Sequence, residues 1–176
     1  MDLEFRQLTL ADNHAYLALM LAAYAPIRQL GIRFDAATAD LPRVNRHLHD
    51  HGVYALSVDG QMMASLTLRY PWGPLPGPFG LPHIGWFGVH PASQGQGWGK
   101  KLLEWVEEEI LHKQLKAPAI SLGTAVNHPW LQAMYQKRGF IPMHQVDLGK
   151  GHITLYMQKI LDPAGHQHWL SGQTIR

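Results

Sequence analysis

Glycine-rich residues 91–99 lie between an apolar segment and a charged, periodic one, and their residue types suit a bound phosphate. Residues 84–89 are apolar and aromatic, which predicts a strand, while apolar residues spaced by three and four predict a helix over residues 100–112. Glycines let backbone N–H groups approach an anion closely, and the start of a helix adds roughly half a positive charge. The pattern therefore predicts a phosphate-binding turn.

Two common phosphate loops do not match this turn. A Walker loop places Ser or Thr after Gly-Lys to bind magnesium, whereas Lys101 follows Gly99 and Lys100 here. A dinucleotide-binding turn needs Gly-x-Gly-x-x-Gly. Gly95 and Gly97 supply its first half, but Lys100 occupies the third glycine position. Both alternatives therefore fail on the chemistry of the residues as well as on their order.

A third pattern fits, and a second motif downstream supports it. Gln94-x-x-Gly97-x-Gly99 resembles the Gln/Arg-x-x-Gly-x-Gly/Ala signature of the Gcn5-related N-acetyltransferase (GNAT) superfamily. Further along, Tyr135 stands four residues before a Gly-Phe sequence, which is similar to the helix-to-strand motif of that family. The alternative is a chance turn followed by an ordinary helix C-cap. The resemblance covers residues 3 to about 158.

The resemblance implies both the fold and the co-substrate. The expected fold is α/β, a three-layer α/β/α sandwich around a mixed, mostly antiparallel sheet of about seven strands. Acetyl-coenzyme A (acetyl-CoA) would lie along a bulged strand, for which Gly85 and Gly88 are the candidate bulge residues. The coenzyme-binding residues implied are Phe87, Val89, Gln94, Gly95, Gln96, Gly97, Trp98, Gly99, Lys100 and Asn127.

Asn127 marks the one departure from the family pattern. The family often has an asparagine seven residues before the tyrosine, but His128 stands there and Asn127 lies one residue earlier. Asn127 is therefore either a coenzyme contact or only the N-cap of a helix. We expect that helix to begin at Asn127 and to carry Pro129 in its first turn.

Acetyl transfer to an amine needs a neutral amine and a proton for the departing thiolate. By resemblance, Tyr135 is the general acid, and an ordinary phenol pKa of ~10 suits a thiol. The alternative is a tyrosine that only packs in the core. His83 is the titratable side chain nearest to residues 84–89. It is either a base that relays a proton through water or a surface or loop histidine.

Residues of the acceptor site are named by their location alone. They lie in the first two helices and in residues 70–82, which contain five prolines and three glycines and predict a stiffened loop. The candidates are Tyr24, Arg28, Arg33, Phe34, Tyr70 and Trp72. Aromatic residues there are equally compatible with a core or a dimer contact. The acceptor stays open among a small amine, an amino acid, an antibiotic and a protein or peptide amine.

Composition excludes several classes of protein. A formal charge of +2 with scattered Lys and Arg argues against nucleic-acid binding, and no apolar run is long enough for a membrane span. The chain has no cysteine and no N-terminal secretory pattern, so we expect a cytoplasmic protein without disulfides. Among its 12 histidines, His47 and His51 have a helical zinc-ligand spacing. We predict no metal, because the proposed reaction needs none.

The element order predicted is β-α-α-β-β-β-α-β-α-β-β. We expect one acetyltransferase domain over residues 1–160, and residues 161–176 as either an arm onto a partner subunit, forming a homodimer, or a disordered tail. The first helix should end before Pro26. Pro42 should either disturb the second helix, over residues 36–50, or mark a fresh start.

Two other functions stay open at this point. One is an acyl-CoA-binding sensor, a degenerate family member without catalysis, against which the intact Tyr135 argues. The other is an interaction module that binds no coenzyme. Of the three, we predict an N-acetyltransferase that moves an acetyl group from acetyl-CoA to a primary amine by direct attack in a ternary complex.

Overall fold

One seven-stranded sheet organises the chain. The computed structural model describes residues 1–32, 34–93 and 95–174. The strands are β1 (Leu3–Gln7), β2 (Gly52–Val58), β3 (Gln61–Arg69), β4 (His83–Val89), β5 (Ala119–Ala125), β6 (Ile141–Asp147) and β7 (Ile153–Ile160). Their order in the sheet is β1-β2-β3-β4-β5-β7-β6, and only β4 and β5 pair in parallel. The predicted mixed, mostly antiparallel sheet of about seven strands is confirmed.

Helices cover both faces of this sheet, which confirms the three-layer sandwich. They are α1 (Asn13–Gln29), α2 (Leu41–Asp50), α3 (Trp98–Trp105), α4 (Leu131–Lys137) and α5 (Pro163–Thr174). The core divides into two clusters of buried side chains. One joins the sheet to α1 and α2, and the other joins it to α3 and α4.

Alternation along β3 explains how one strand serves both clusters. Leu66 and Leu68 are fully buried on the α3 side. Because successive side chains of a strand point to opposite faces, Thr67 points toward α1 and α2. There its hydroxyl lies 2.8 Å from His47 Nε2 and 3.4 Å from the Tyr16 hydroxyl. A buried polar group in this position is satisfied by partners from both helices.

The helix boundaries around the prolines differ in part from expectation. The first helix does not end before Pro26, because α1 continues through this proline to Gln29. Pro42 marks a fresh start, one of the two alternatives. It lies in the first turn of α2, where its missing N–H costs nothing, and the Asp40 carboxylate accepts the Arg43 N–H at 3.0 Å.

The helix that follows the glycine turn changes its geometry after two turns. It begins at Trp98 and continues beyond Trp105 as a π-helix over Val106–His112. The apolar stripe predicted for it, Leu102, Leu103, Val106 and Ile110, is buried against the sheet. The wider π-helical turn also brings Leu111 into this core, which the regular spacing of an α-helix does not predict.

A β-bulge interrupts β4. Gly88 pairs with Ser65 and Gly85 pairs with Thr67, so two residues of β4, Trp86 and Phe87, face a single residue of β3. The residue with positive φ is Trp86, at 42°. The expectation that Gly85 or Gly88 forms the bulge is therefore wrong, since both glycines flank it.

The indole of Trp86 is held by the second helix. The ring of His47 stacks on it with centroids 3.8 Å apart and 10° between the planes. Because a positive φ is costly for a bulky side chain, contacts elsewhere must stabilise this backbone. The stack and the hydrogen bond from His47 to Thr67 supply such contacts, so α2 fixes the shape of β4.

The segment after β7 has regular structure. Residues 163–174 form α5, whose side chains are mostly exposed, so a disordered tail is not what the structure shows for them. Its docking onto a partner subunit stays a prediction, as does the domain boundary at residue 160. In the part of the chain that the structure describes, no helix has the length and apolar character needed to cross a bilayer.

Acid should weaken this fold, because two buried histidines remain neutral in it. Burial is the main cause that lowers the pKa of His47 and His83 to about 3, below the ordinary 6.5. Below pH 6.5 these histidines bind protons in the unfolded chain but not in the folded chain. The free energy of unfolding therefore decreases as the pH falls toward 3. Between pH 7 and pH 5, each histidine should lower the free energy of unfolding by about 2 kcal/mol in urea titrations.

Replacement of one buried histidine tests this origin of the pH dependence. His47→Gln should remove about 2 kcal/mol of the loss between pH 7 and pH 5, although it also weakens the fold at neutral pH. His49→Gln is the matched control on α2, since the His49 side chain is 86% exposed. An identical pH dependence in both variants would contradict this assignment.

Candidate active site

The parallel strands β4 and β5 separate soon after they meet. They pair at only two positions, His83 with Ser121 and Ile84 with Leu122. Beyond Ile84 the edge of β4 that faces β5 carries no strand, so its backbone groups are available to another molecule. The cleft that opens between the two strands contains two cavities.

The first cavity, of about 250 Å³, lies above the point where the strands separate. It is bounded by α1, the strands β3, β4, β5 and β7, α4 and the connection between β6 and β7. Its walls include Tyr24, Phe34, Asp35, Arg69, His83, Trp86, Phe87, Tyr135, Lys150, His152 and Tyr156. Polar, aromatic and cationic side chains therefore line a space suited to a small polar molecule.

The second cavity, of about 160 Å³, continues along β4 toward the glycine turn. Its walls include Phe87, Val89, Gly99, His128, Trp130, Met134 and Arg138. Tyr24, Ile27, Phe87, Leu131 and Tyr135 line both cavities. The two spaces therefore meet between α1, the bulge of β4 and α4.

Tyr24 ties α1 to the bulge at this junction. Its hydroxyl donates a hydrogen bond to the Phe87 carbonyl at 2.9 Å. Burial raises the pKa of Tyr24 well above its ordinary value, so the phenol keeps its proton and remains a donor. Gly88 lets α1 come this close, because a Cβ there would lie 2.9 Å from the Ala23 Cβ.

Tyr135 lies on the opposite side of the junction. It is buried, and its ring meets the Phe140 ring edge to face at 5.6 Å. Gly139 ends α4 with φ of 96°, and the Phe140 N–H returns to the Tyr135 carbonyl at 3.1 Å. The Gly-Phe motif thus fixes the end of the helix that carries the tyrosine. Burial raises the pKa of Tyr135 to about 12.

The glycine turn presents backbone rather than side chains. Gln94 lies outside the described residues. Gly95 and Gly97 have φ of 86° and 78°, and Gly97 is the N-cap of α3. Trp98, expected to bind coenzyme, has its side chain buried in the core, so only its main chain faces the turn. Gln96 is exposed beside it.

The start of α3 packs directly against β4. A Cβ on Gly99 would lie 2.8 Å from Val89 Cγ2, so a larger residue would force one of the two elements to shift. The N–H groups of the first helical turn have no carbonyl partner within the helix. The exposed Lys100 is 3.9 Å from Glu104, a weak pairing that leaves its ammonium accessible at the same helix end.

His128, and not Asn127, lies in the cavity wall. Asn127 is exposed and lines neither cavity. The fourth helix begins at Leu131, so the expectation that it begins at Asn127 is wrong. His128 is buried, and its Nδ1 accepts the Leu131 N–H at 3.3 Å, which places its acceptor at the start of α4.

His83 is a buried residue at the start of β4, so the surface or loop alternative is wrong. Its Nδ1 lies 2.8 Å from the Ser121 hydroxyl, and its ring lines the first cavity. Gly77 of the proline loop, residues 70–82, packs on this ring, where a Cβ would come within 2.6 Å of it. With a pKa of about 3, the imidazole is neutral at neutral pH.

Only part of the predicted acceptor set reaches the first cavity. Tyr24 and Phe34 line it, while Arg33 lies outside the described residues. Arg28 is exposed and donates to the carbonyls of Leu21 and Ala37. Tyr70 and Trp72 stack on each other with centroids 5.0 Å apart and line neither cavity.

Several cationic wall residues have no signal in the sequence. Arg69 ends β3, Lys150 lies between β6 and β7, and Arg138 follows α4. They are far apart along the chain, and each is an ordinary charged residue in its local context. Among the described residues, no three histidine, cysteine, aspartate or glutamate side chains are grouped to hold a metal.

Comparison with known proteins identifies the family of this chain. The model of the Acetyltransferase (GNAT) family matches residues 18–140. The chain belongs to this family. It is 52% identical over 150 residues to S-(2-succino)cysteine N-acetyltransferase from Bacillus subtilis (strain 168), covering 85% of this chain and 91% of that protein. It is 39% identical over 169 residues to S-alkylcysteine N-acetyltransferase of the same organism, covering 96% and 94%.

Solved structures share the fold at much lower identity. The PaiA N-acetyltransferase from Thermoplasma acidophilum, determined in complex with coenzyme A, superposes with a TM-score of 0.69 at 16% identity. The match covers 91% of this chain and 99% of that one. The family match and the two Bacillus subtilis relatives show that this chain is an acetyl-CoA-dependent N-acetyltransferase. The resemblance seen in the sequence is confirmed.

Proposed function

We propose that this GNAT enzyme acetylates the α-amine of an S-substituted cysteine. The observation that carries the proposal is its 52% identity, over 85% of its length, to a protein named for acetylating S-(2-succino)cysteine. The second relative is named for acetylating S-alkylcysteines. The first cavity, at about 250 Å³ with polar walls, is suited to an amino acid derivative.

The second cavity is the proposed binding site of the coenzyme. Its residues fit an extended diphosphate ligand, because Gly99 brings the amides of the α3 N-terminus against β4. Arg138 adds positive charge in the wall of this cavity, and Lys100 adds it in the first turn of α3, next to Gly99. Along the free edge of β4, the main chain of Phe87 and Val89 would contact the pantetheine and acetyl ends. His128 replaces Asn127 in the proposed set.

The junction of the two cavities is where acceptor and thioester would meet. Acetyl-CoA supplies an already activated acyl group, so the protein needs mainly to orient the two reactants. Tyr24, Phe87 and Tyr135 surround this point and line both cavities. The Tyr24 hydroxyl donates to the Phe87 carbonyl, whereas the Tyr135 hydroxyl has no hydrogen-bond partner among the described residues.

Tyr135 is proposed to donate its phenolic proton toward the departing sulfur. A pKa of about 12 keeps the phenol protonated, but it makes Tyr135 a weaker acid than the ordinary phenol expected from sequence. Thiols ionise near ~8.5, so a completed proton transfer from this phenol to the thiolate is uphill by roughly 3.5 pKa units. A strong hydrogen bond to the sulfur, with transfer only as the thiolate separates, fits these acidities.

His83 is proposed as a neutral hydrogen-bonding residue of the cavity wall and not as a general base. With a pKa of about 3, its imidazole is too weak a base to take a proton from an ammonium at neutral pH. An α-amine needs less help than a lysine, because the α-amine of an amino acid is less basic than the Lys side chain, whose pKa is ~10.4. Solvent is then a sufficient proton acceptor.

An acceptor panel tests the substrate proposal. Purified enzyme, acetyl-CoA and single amines would be assayed for free-thiol release, and the products identified by mass spectrometry. The chain has no cysteine, so every thiol detected with a thiol-free acceptor comes from the coenzyme. We expect S-(2-succino)cysteine and S-alkylcysteines to exceed lysine, spermidine and an N-terminal alanine peptide by at least tenfold in kcat/KM. N-acetyl-S-methylcysteine, whose amine is blocked, is the matched control.

Two results would contradict the proposal in different ways. Faster acetylation of any other amine than of every S-substituted cysteine would reject the substrate class. If no amine in the panel causes release of free coenzyme A, while acetyl-CoA still raises the melting temperature, turnover would be rejected and a coenzyme sensor favoured.

Tyr135→Phe tests the role of the phenol. The variant should lower kcat roughly 100-fold or more, because the departing sulfur loses its hydrogen-bond donor, while acetyl-CoA affinity stays within about threefold. Tyr70→Phe is the matched control, since the Tyr70 hydroxyl bonds only to the Tyr54 hydroxyl among the described residues and Tyr70 lines neither cavity. Equal kcat in Tyr135→Phe and the unaltered enzyme would remove Tyr135 from the mechanism.

A further inference from the structure

Arg69 is a cation in the acceptor cavity that forms no ion pair with a carboxylate of the described residues. It lines the first cavity, half-buried, at the end of β3. Over residues 1–32, 34–93 and 95–174, no carboxylate forms an ion pair with it, whereas Arg6, Arg43 and Lys159 each have one. A charge removed from water usually has a counterion, so an unpaired guanidinium in a ligand cavity points to an anionic ligand.

The guanidinium is fixed and only partly used by the protein. Nε donates to the Leu75 carbonyl at 2.8 Å, and Nη2 donates to the Pro76 carbonyl at 3.3 Å. A guanidinium has five N–H donors, so three remain after these two bonds. The proline loop thus holds the side chain in place and leaves Nη1 for another molecule. Such a preformed fork suits a carboxylate.

Gly85 directs the side chain of Arg69 along β4 toward the bulge. A Cβ on Gly85 would lie 3.3 Å from Arg69 Cδ, so the stem of the arginine crosses this glycine. Gly85 precedes Phe87, at the junction, by two residues, or roughly 6.6 Å along a strand. In a cysteine conjugate, about five bonds separate the α-nitrogen from a carboxylate on the sulfur substituent, which spans roughly 6 Å.

The remaining charges of the cavity wall favour an anion as well. Asp35 is the one acidic residue among the wall residues described. Its carboxylate forms an ion pair with Arg43 at 3.2 Å and acts on Arg69 only through space. Lys150 adds a second cation from the connection between β6 and β7. Both His83 and His152 line the same wall as potential hydrogen-bond donors.

We propose that Arg69, assisted by Lys150, binds the carboxylate of an acidic S-substituent and so makes the enzyme selective for acidic cysteine conjugates over neutral ones. This assignment rests on the proposed function, because it needs the α-amine of the conjugate at the junction. It makes Arg69 a specificity-determining residue and gives it no part in proton transfer.

Two acceptors that differ in substituent charge test the assignment. kcat/KM would be measured for S-(2-succino)cysteine and for S-butylcysteine with the full-length enzyme. Arg69→Gln should lower the value for the acidic conjugate roughly 10- to 100-fold, mainly through KM, and change the neutral one by less than about threefold. Lys150→Gln should show the same selectivity with a smaller loss. Arg46→Gln, exposed and outside both cavities, is the matched charge control.

The outcomes separate this assignment from the proposed function. If the unaltered enzyme acetylates neither conjugate, the proposed function fails. If it acetylates both and Arg69→Gln lowers kcat/KM equally for both, the assignment is overturned. Arg69 then either binds the α-carboxylate that both conjugates share or only stabilises the proline loop. Melting temperature and acetyl-CoA binding of each variant verify that the fold is intact.

A competition assay tests the role of Arg69 without any substitution in the protein. Succinate should inhibit acetylation of S-butylcysteine by the unaltered enzyme, competitively with the acceptor, because it occupies the Arg69 site. Succinamide, the neutral diamide of the same shape, should inhibit at least tenfold more weakly. Equal inhibition by the two compounds, or none by succinate, would overturn the assignment even if Arg69→Gln fails to fold.

Discussion

The early separation of β4 from β5 is the constraint on which the site depends. Had the parallel pairing continued past Ile84, β5 would occupy the edge of β4 that the coenzyme is proposed to use. The bulge at Trp86 and Phe87 turns β4 away, and two helices hold it there. His47 of α2 stacks on Trp86, and Tyr24 of α1 bonds to the Phe87 carbonyl. The strained strand is therefore stabilised from outside the sheet.

The two cavities on either side of this bulge have different chemistry. The coenzyme side offers backbone amides at a helix N-terminus, which suit a diphosphate. The acceptor side offers the side chains of Arg69 and Lys150, which suit carboxylates. Tyr135 lies where they meet and keeps its proton because it is buried. A conjugate anchored by its acid groups would thus present its amine to the thioester.

Two local motifs were sufficient to identify the family resemblance that implied the sheet and its layers. They can be read locally because Gly97 and the glycine of the Gly-Phe pair after Tyr135 have a positive φ. Features that depend on distant contacts could not be predicted. A positive φ at Trp86 depends on a stack with α2, and the burial of His83 depends on the proline loop. Arg69 reaches the acceptor cavity only once β3, β4 and β7 are assembled.

A crystal structure of the enzyme with coenzyme A is the most direct test of the central claim. We predict the pantetheine along the free edge of β4, in contact with the main chain of Phe87 and Val89. The diphosphate should lie within hydrogen-bond distance of the amides of Gly99 and Lys100, with the sulfur beside the Tyr135 hydroxyl. Coenzyme bound away from β4, or β5 pairing with β4 beyond Ile84 in the complex, would contradict the account.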